Sequence, residues 1–175
     1  MLPRIVMEIT TYTQPSPLLI RPATLADAAA MHRIHTEAVQ GFCQDHYSEA
    51  QIAAWLRGRS PAGYHGGINT GHMFLAEQAG AAVGFAHAEP GIILAMFVDA
   101  GSAGQGVGGK LLDHALRLAR QGVREIKLTA TLNAQSFYEK AGFQPTRPVA
   151  IHMGAEQLPF VAMTLPLNNP AEATK

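Results

Sequence analysis

The sequence predicts an α/β domain built on a mixed, mostly antiparallel sheet, and three observations lead there. Met73–Glu77, Ala82–Glu89 and Ile92–Val98 are strand-like runs separated only by Ala79-Gly80-Ala81 and Pro90-Gly91, separators short enough to require two consecutive hairpins. A glycine-rich turn then feeds an amphipathic segment, Gly106–Gln121, with Leu111, Leu112, Ala115, Leu116 and Ala119 on one face. Apolar residues make up 47% of the 175 and charged residues 15%, which supplies one sizeable core and argues against global disorder.

The remaining elements follow in order. Residues 1–17 form a polar, proline-punctuated N-terminal extension and 168–175 a frayed C-terminal tail, leaving 18–167 as one domain without linker, repeat or low-complexity stretch. Leu18–Arg21 is a short apolar run ended by Pro22, a first strand. Thr24, three residues before Asp27, opens a capping-box start. Behind it Leu25, Ala28, Met31, Ile34, His35 and Ala38 recur at helical spacing. Ser48 and Gln51 make a second capping box ahead of Ile52, Trp55 and Leu56. Gly58 to Gly71, rich in Gly, Pro and Asn, reads as loop. Gly122 stands where a helix-ending glycine belongs. Glu125–Thr131 is a further strand, Ala134–Ala141 a short helix stopped by Gly142, and Val149–Met153 with Phe160–Leu165 a closing hairpin. The element order is βααβββαβαββ.

Composition narrows the partners. Lysine plus arginine equals aspartate plus glutamate at 13 each, so the basic excess that drives nucleic-acid binding is missing. A single cysteine, Cys43, excludes an internal disulfide framework and suits a reducing compartment. No apolar run approaches the roughly 18 residues of a membrane span, and the N-terminus has no apolar leader core, so the expectation is a soluble cytoplasmic protein with no membrane partner. His32 and His35 share a helix face, but no third ligand stands nearby, so no metal is expected.

The most informative stretch is Ala103-Gly104-Gln105-Gly106-Val107-Gly108-Gly109-Lys110-Leu111-Leu112. Its glycines let the backbone bend tightly and aim several N–H groups at one point at a helix N-terminus, where the dipole favours an anion such as phosphate or pyrophosphate. Gly104, Gly109 and Lys110 satisfy most of a nucleotide-binding P-loop, but Leu111 stands where a magnesium-binding hydroxyl is required. Gly104-x-Gly106-x-x-Gly109 also fits the dinucleotide fingerprint, with Glu125 near the required distance. That motif needs a parallel βαβ unit, and here the preceding strand ends a meander.

Phe97-Val98 followed by Gly104-Gln105-Gly106-Val107-Gly108 and Leu111-Leu112 resembles the coenzyme-A pyrophosphate motif of the GNAT N-acetyltransferase superfamily, in which Gln/Arg-x-x-Gly-x-Gly/Ala occupies this turn. A second stretch similar to a family motif, Asn133-Ala134-Gln135-Ser136-Phe137-Tyr138-Glu139-Lys140-Ala141-Gly142-Phe143, stands one strand later. Either alone is weak; the pair, with a helix and a strand of the right length between them, is specific, and the resemblance spans Leu18 to Leu167. It implies a GNAT fold, with about seven strands flanked by about four helices and a splay between strands four and five.

The resemblance also implies an N-acetyltransferase that takes acetyl-CoA as cosubstrate and passes acetyl directly to an amine, small-molecule or peptide, in a ternary complex without metal. Met96, Phe97 and Val98 would pair with the pantetheine arm through their backbone and supply an oxyanion donor. The backbone of Gly104, Gln105, Gly106, Val107, Gly108 and Gly109 would take the pyrophosphate. Tyr138 matches the tyrosine that protonates the leaving thiolate, and would otherwise be a helix tyrosine packed beside Phe137 and Phe143. Asn133 resembles an asparagine that hydrogen-bonds the pantetheine arm; a helix-capping asparagine would look the same.

Two departures stand out. Ala103 replaces the Gln/Arg that opens the turn, and Leu94 occupies a position where many relatives carry an acidic residue. The amine's base is therefore indirect. Pairing about Pro90-Gly91 puts His87 opposite Leu94 at the mouth of the splay, with a pKa suited to a base near neutrality, although a half-buried strand histidine fits the same pattern. A water relay or an amine arriving neutral fits equally. Between the first two helices, Gly41–Tyr47 is where the family builds acceptor specificity; there Asp45 could attract a cationic amine, and Cys43 with His46 could form a nucleophile pair. A CoA-binding module with lost or vestigial transferase activity is the alternative function. The exposed edges of such a sheet are compatible with a homodimer.

Overall fold

The computed structural model describes residues 16–167. The tail expected over 168–175, and all of the N-terminal extension except Ser16 and Pro17, lie outside the described residues. In chain order the elements are β1 (Leu19–Pro22), α1 (Ala28–Phe42), α2 (Glu49–Leu56), α3 (His65–Asn69), β2 (Met73–Gln78), β3 (Ala81–Glu89), β4 (Ile92–Val98), α4 (Val107–Ala119), β5 (Glu125–Thr131), α5 (Gln135–Lys140), β6 (Gln144–Met153) and β7 (Glu156–Pro166), with short 3₁₀ turns between some of them.

The seven strands form one sheet in the order β1-β2-β3-β4-β5-β7-β6. Every neighbouring pair is antiparallel except β4 and β5, which run parallel and meet only at Ile92↔Lys127 and Ile93↔Leu128. Beyond Ile93 the two strands part. The splay expected from the resemblance is therefore present, and it divides the sheet into a β1–β4 half and a β5–β7–β6 half.

Strand alternation sorts the core into layers. On β3, Ala86 and Ala88 meet Leu111, Leu112, Ala115 and Ala119 of α4, while Phe85 joins Met31 and Ile34 of α1 together with Tyr64 and Ile68. A third cluster, Val39, Cys43, Tyr47, Trp55, Leu158 and Phe160, ties α1 and α2 to β7. Close seating of α4 depends on Gly84, where a Cβ would lie 2.8 Å from Leu111 Cδ1 and 3.0 Å from the Phe97 carbonyl oxygen.

Both capping boxes form. Ser48 accepts from the Gln51 N–H at 3.2 Å. At the first, the Thr24 N–H donates to Asp27 Oδ2 at 2.7 Å, and Arg21 grips the same carboxylate with two N–H groups at 2.8 and 2.9 Å while its Nε reaches Glu77 Oε2 at 3.0 Å. The Arg21 hydrogen bond holds the Asp27 carboxyl well below the usual carboxylate range. A carboxylate so lowered stabilises the fold at neutral pH, and that contribution is lost as pH falls through the acid range. Asp27→Asn should cost about 1–2 kcal/mol, read as a lower melting temperature at pH 7, with a smaller gap from the parent protein below pH 3.

Two segments differ from the sequence-based expectation. Gly58–Gly71 is not all loop: Pro61–Tyr64 forms a 3₁₀ turn that runs into α3. Pro61 presets the first helical φ, and burial of Tyr64 and Ile68, four residues apart, offsets the cost of ordering Gly66 and Gly67. Among the described residues the α-helices thus number five, where about four were expected. The closing hairpin is also longer than expected, because β6 begins at Gln144 and runs through Pro145 and Pro148. Those prolines break the strand pattern in sequence, but β6 is an edge strand with a bulge between Pro145 and Arg147, where missing N–H donors are tolerated.

Candidate functional site

The splay opens a cavity of about 750 Å³. One wall is the C-terminal half of β4, whose side toward β5 has no ladder partner after Ile93. Met96, Phe97 and Val98 pair through their other edge with Ala86, Phe85 and Gly84, and all three line the cavity. Backbone groups on a strand edge left open in this way are available to an extended ligand.

The N-terminus of α4 faces the same space. Gly104 and Gly106 sit at φ 75° and 82°, a left-handed conformation that favours glycine, and Gly106 is the residue from which α4 starts. Gly104, Gly106, Gly108 and Gly109 line the cavity. The amides of the first helical turn have no intrahelical acceptor and so point anion-binding donors outward. Gln105 and Val107 do not line it. The Gln105 N–H is drawn to the Ser102 carbonyl at 3.4 Å and its side-chain amide to the Gly101 carbonyl at 2.9 Å, while the Val107 side chain is buried under α4.

On the opposite wall, α5 carries Tyr138 into the cavity lining between Phe137 and Phe143, with ring centroids 5.1 and 5.7 Å away. Burial pushes its phenol well above the ordinary tyrosine value, so the proton stays on throughout the physiological range. Asn133 also lines the cavity. It caps neither flanking helix, since the caps are Thr131 and Ala134; instead its Oδ1 accepts from the Cys43 thiol at 3.5 Å. That contact engages Cys43 with Asn133 rather than His46, and burial raises the thiol to about 11, the opposite of an activated nucleophile.

His87 is not brought to the cavity. A bulge between His87 and Ala88 shifts the register, so His87 pairs with Ala95 and Leu94 is left without a partner. The imidazole lies under α3, where a Cβ on Gly67 would sit 2.9 Å from its Cε1, and its Nε2 is 3.4 Å from Glu89 Oε1. Burial lowers its pKa. Leu94, 48% exposed, lines the cavity in its place. Asp45 does not line the cavity either.

Other lining residues were not legible as a site. His35 of α1 stacks on Phe97 at a centroid distance of 3.9 Å, with its Nδ1 3.0 Å from the Tyr64 hydroxyl and its Nε2 without a partner. Trp55, Arg59, Ile151, Met153 and Phe160 complete that end. Tyr47 braces it, donating to the Pro159 carbonyl at 2.8 Å and accepting from the Leu132 N–H at 3.1 Å. Burial, aided by the Arg59 charge, lowers His35 to about 3. A base lowered in the folded state stays neutral there while the unfolded chain takes up the proton, so stability falls as pH drops below about 6.5. Between pH 6.5 and 5, His35 alone should cost about 2 kcal/mol, and His35→Leu should flatten the fall in melting temperature over that interval.

Among the described residues no group of three His, Cys, Asp or Glu side chains comes together to hold a metal, and no helix is long and apolar enough to cross a membrane.

A seven-stranded sheet splayed at its parallel pair, with a glycine-rich helix start facing the gap, defines the architecture of the N-acetyltransferases. The chain belongs to the acetyltransferase (GNAT) domain family, whose profile matches residues 43–167. A GCN5-related N-acetyltransferase from Rhodopseudomonas palustris is 28% identical over 89% of this chain and 99% of that one, with a TM-score of 0.81. PaiA N-acetyltransferase from Thermoplasma acidophilum, solved in complex with coenzyme A, is 19% identical over 86% of this chain and 99% of its own, at a TM-score of 0.69. YncA from Salmonella typhimurium, solved with its cofactor acetyl-CoA, is 24% identical over 88% of this chain and 96% of its own, at a TM-score of 0.65. The last two likenesses are of fold. No curated protein matches the chain.

Proposed function

We propose that residues 18–167 form a catalytic domain that transfers an acetyl group from acetyl-CoA to a primary amine by direct attack in a ternary complex. One observation carries this reading: an open strand edge, a helix N-terminus ringed by glycine and a protonated buried phenol line a single cavity. The CoA and acetyl-CoA bound in the PaiA and YncA structures support the choice of ligand.

In this reading the pantetheine arm runs along β4 and pairs with the backbone of Met96, Phe97 and Val98, with Asn133 facing it across the gap. The pyrophosphate takes the N–H groups around Gly104, Gly106, Val107, Gly108 and Gly109; that of Gln105 is engaged by Ser102. A β4 N–H stabilises the oxyanion as the amine nitrogen bonds to the thioester carbon. The C–S bond then breaks with its electron pair going to sulfur, and Tyr138 gives the thiolate its proton, which the phenol recovers from water before the next turnover. The amine's own proton leaves to water, because no carboxylate lines the cavity among the described residues. His87, lying under α3, has no part in this scheme.

The test is a thermal-shift titration with acetyl-CoA, ATP–magnesium and NAD in parallel. A ligand that binds only the native state raises the melting temperature by mass action. A rise with acetyl-CoA alone is expected; a larger rise with either nucleotide overturns the reading. One observation favours a second reading, a CoA-binding module without turnover: Leu94 stands where many family members carry an acid. A positive shift with acetyl-CoA but no thiol release against a broad amine panel would select it.

A further inference from the structure

The acetyl-transfer reading leaves the acceptor open, and the far end of the cavity speaks to its chemistry. Among the described lining residues a single one carries a formal charge at neutral pH, and that is Arg59. Its Nε donates to the Trp55 carbonyl at 2.9 Å, and no described carboxylate forms an ion pair with the guanidinium. An adjoining groove of about 430 Å³ shares Arg59 and adds Arg57 and His152, again with no carboxylate. At His35, which lines the same cavity, burial and then the Arg59 charge lower the pKa.

The charge at this end favours one acceptor type over another. A polyamine or other purely cationic acceptor would enter a positive cavity with nothing to balance its charge. An acceptor bearing a carboxylate would find in Arg59 a planar fork whose geometry suits it. Around that fork the walls are Trp55, Ile151 and Met153, with Phe160 packed on Trp55, so the body of the acceptor is apolar.

We propose that the acceptor is a small amine carrying a carboxylate and an apolar body, an apolar amino acid in chemical class, and that Arg59 determines this specificity by pairing with the carboxylate. The proposal rests on the acetyl-transfer reading for the reaction, though not for the anion contact.

The experiment has two arms. In the first, thiol release from acetyl-CoA is followed with L-leucine, L-methionine and L-phenylalanine, with their carboxamides, and with 2-phenylethylamine. The carboxamides are a severe control, because their amines are less basic and so more available at neutral pH. The acids are expected to have kcat/KM values at least tenfold above the matched amides, and Arg59→Gln should abolish that ratio by raising KM for the acids, with Arg59→Lys keeping part of it.

The second arm needs no turnover. Calorimetric binding of N-acetyl-L-phenylalanine is compared with that of its carboxamide on the protein with and without added CoA, parent and Arg59→Gln, with the cooperative melting transition of each variant in the absence of ligand confirming that it is folded. A tenfold preference for the acid that vanishes in Arg59→Gln supports the proposal. Equal binding of acid and amide, no binding of the acid, or a preference that survives Arg59→Gln overturns it. Failure of the acetyl-transfer reading looks different: no acetyl-CoA shift, with the Arg59-dependent preference for the acid intact.

Discussion

Tyr138→Phe is expected to lower turnover about a hundredfold while leaving the affinity for acetyl-CoA unchanged, as measured by thiol release and by the acetyl-CoA thermal shift. The split follows from where the hydroxyl stands. The ring packs between Phe137 and Phe143, and phenylalanine keeps that packing, so neither fold nor cavity wall is disturbed. What disappears is the one proton that the proposed scheme delivers to the departing sulfur. A second signature comes from pH. Because burial holds the Tyr138 pKa well above its ordinary value, the acid form persists into the alkaline range. The rate of the parent enzyme should therefore rise with pH as the acceptor amine loses its proton, without an alkaline fall below about pH 10. A loss of activity between pH 8 and 9 would assign the acid to another group.

Gly106→Val is expected to weaken acetyl-CoA binding by about a hundredfold and to destabilise the protein by about 1–2 kcal/mol. At φ 82° a β-branched residue is strained whatever space surrounds it, and space does surround it, since nothing lies within 4 Å of a Cβ built there. The cost therefore comes from backbone conformation. Relief of that strain would rotate the peptides whose N–H groups open α4, the same groups proposed to hold the pyrophosphate. Gly109→Ala is the internal control for stability: no left-handed φ is required there and no atom lies within 4 Å of the added Cβ, so the protein should be unchanged or slightly more stable, since alanine orders into a helix at lower entropic cost than glycine. The two effects are separated by measuring melting temperature without ligand and then its rise with acetyl-CoA.

How much was legible in the sequence depended on whether a feature is local. The β2–β3–β4 meander was readable because its turns are short, and the helix start at Gly106 because its four glycines fall within six residues. For the same reason the residues proposed to hold the cofactor, backbone from two neighbouring stretches, could be named from the sequence, and of them Met96, Phe97, Val98, Gly104, Gly106, Gly108 and Gly109 line one cavity. The end proposed to take the acceptor could not. His35, Trp55, Arg59, Met153 and Phe160 come from α1, α2 and the segment just after it, β6 and β7, and only packing brings them together. His87 shows the cost of assuming a regular ladder: one bulged residue moved its partner from Leu94 to Ala95. The helix hidden between Gly58 and Gly71, and the first half of β6, were masked by glycine and proline that tertiary burial and an edge position accommodate.

The narrow parallel junction between β4 and β5 has a mechanical meaning. With two paired positions joining its halves, the sheet has a seam where backbone hydrogen bonding is interrupted, and resistance to shear or peeling there falls to side-chain packing and to the Tyr47 strut. A guest laid along β4 would act as a spliced-in strand, restoring continuity across the seam. Its occupancy would then set how far the β1–β4 half and the β5–β7–β6 half open as separate foldons or as one.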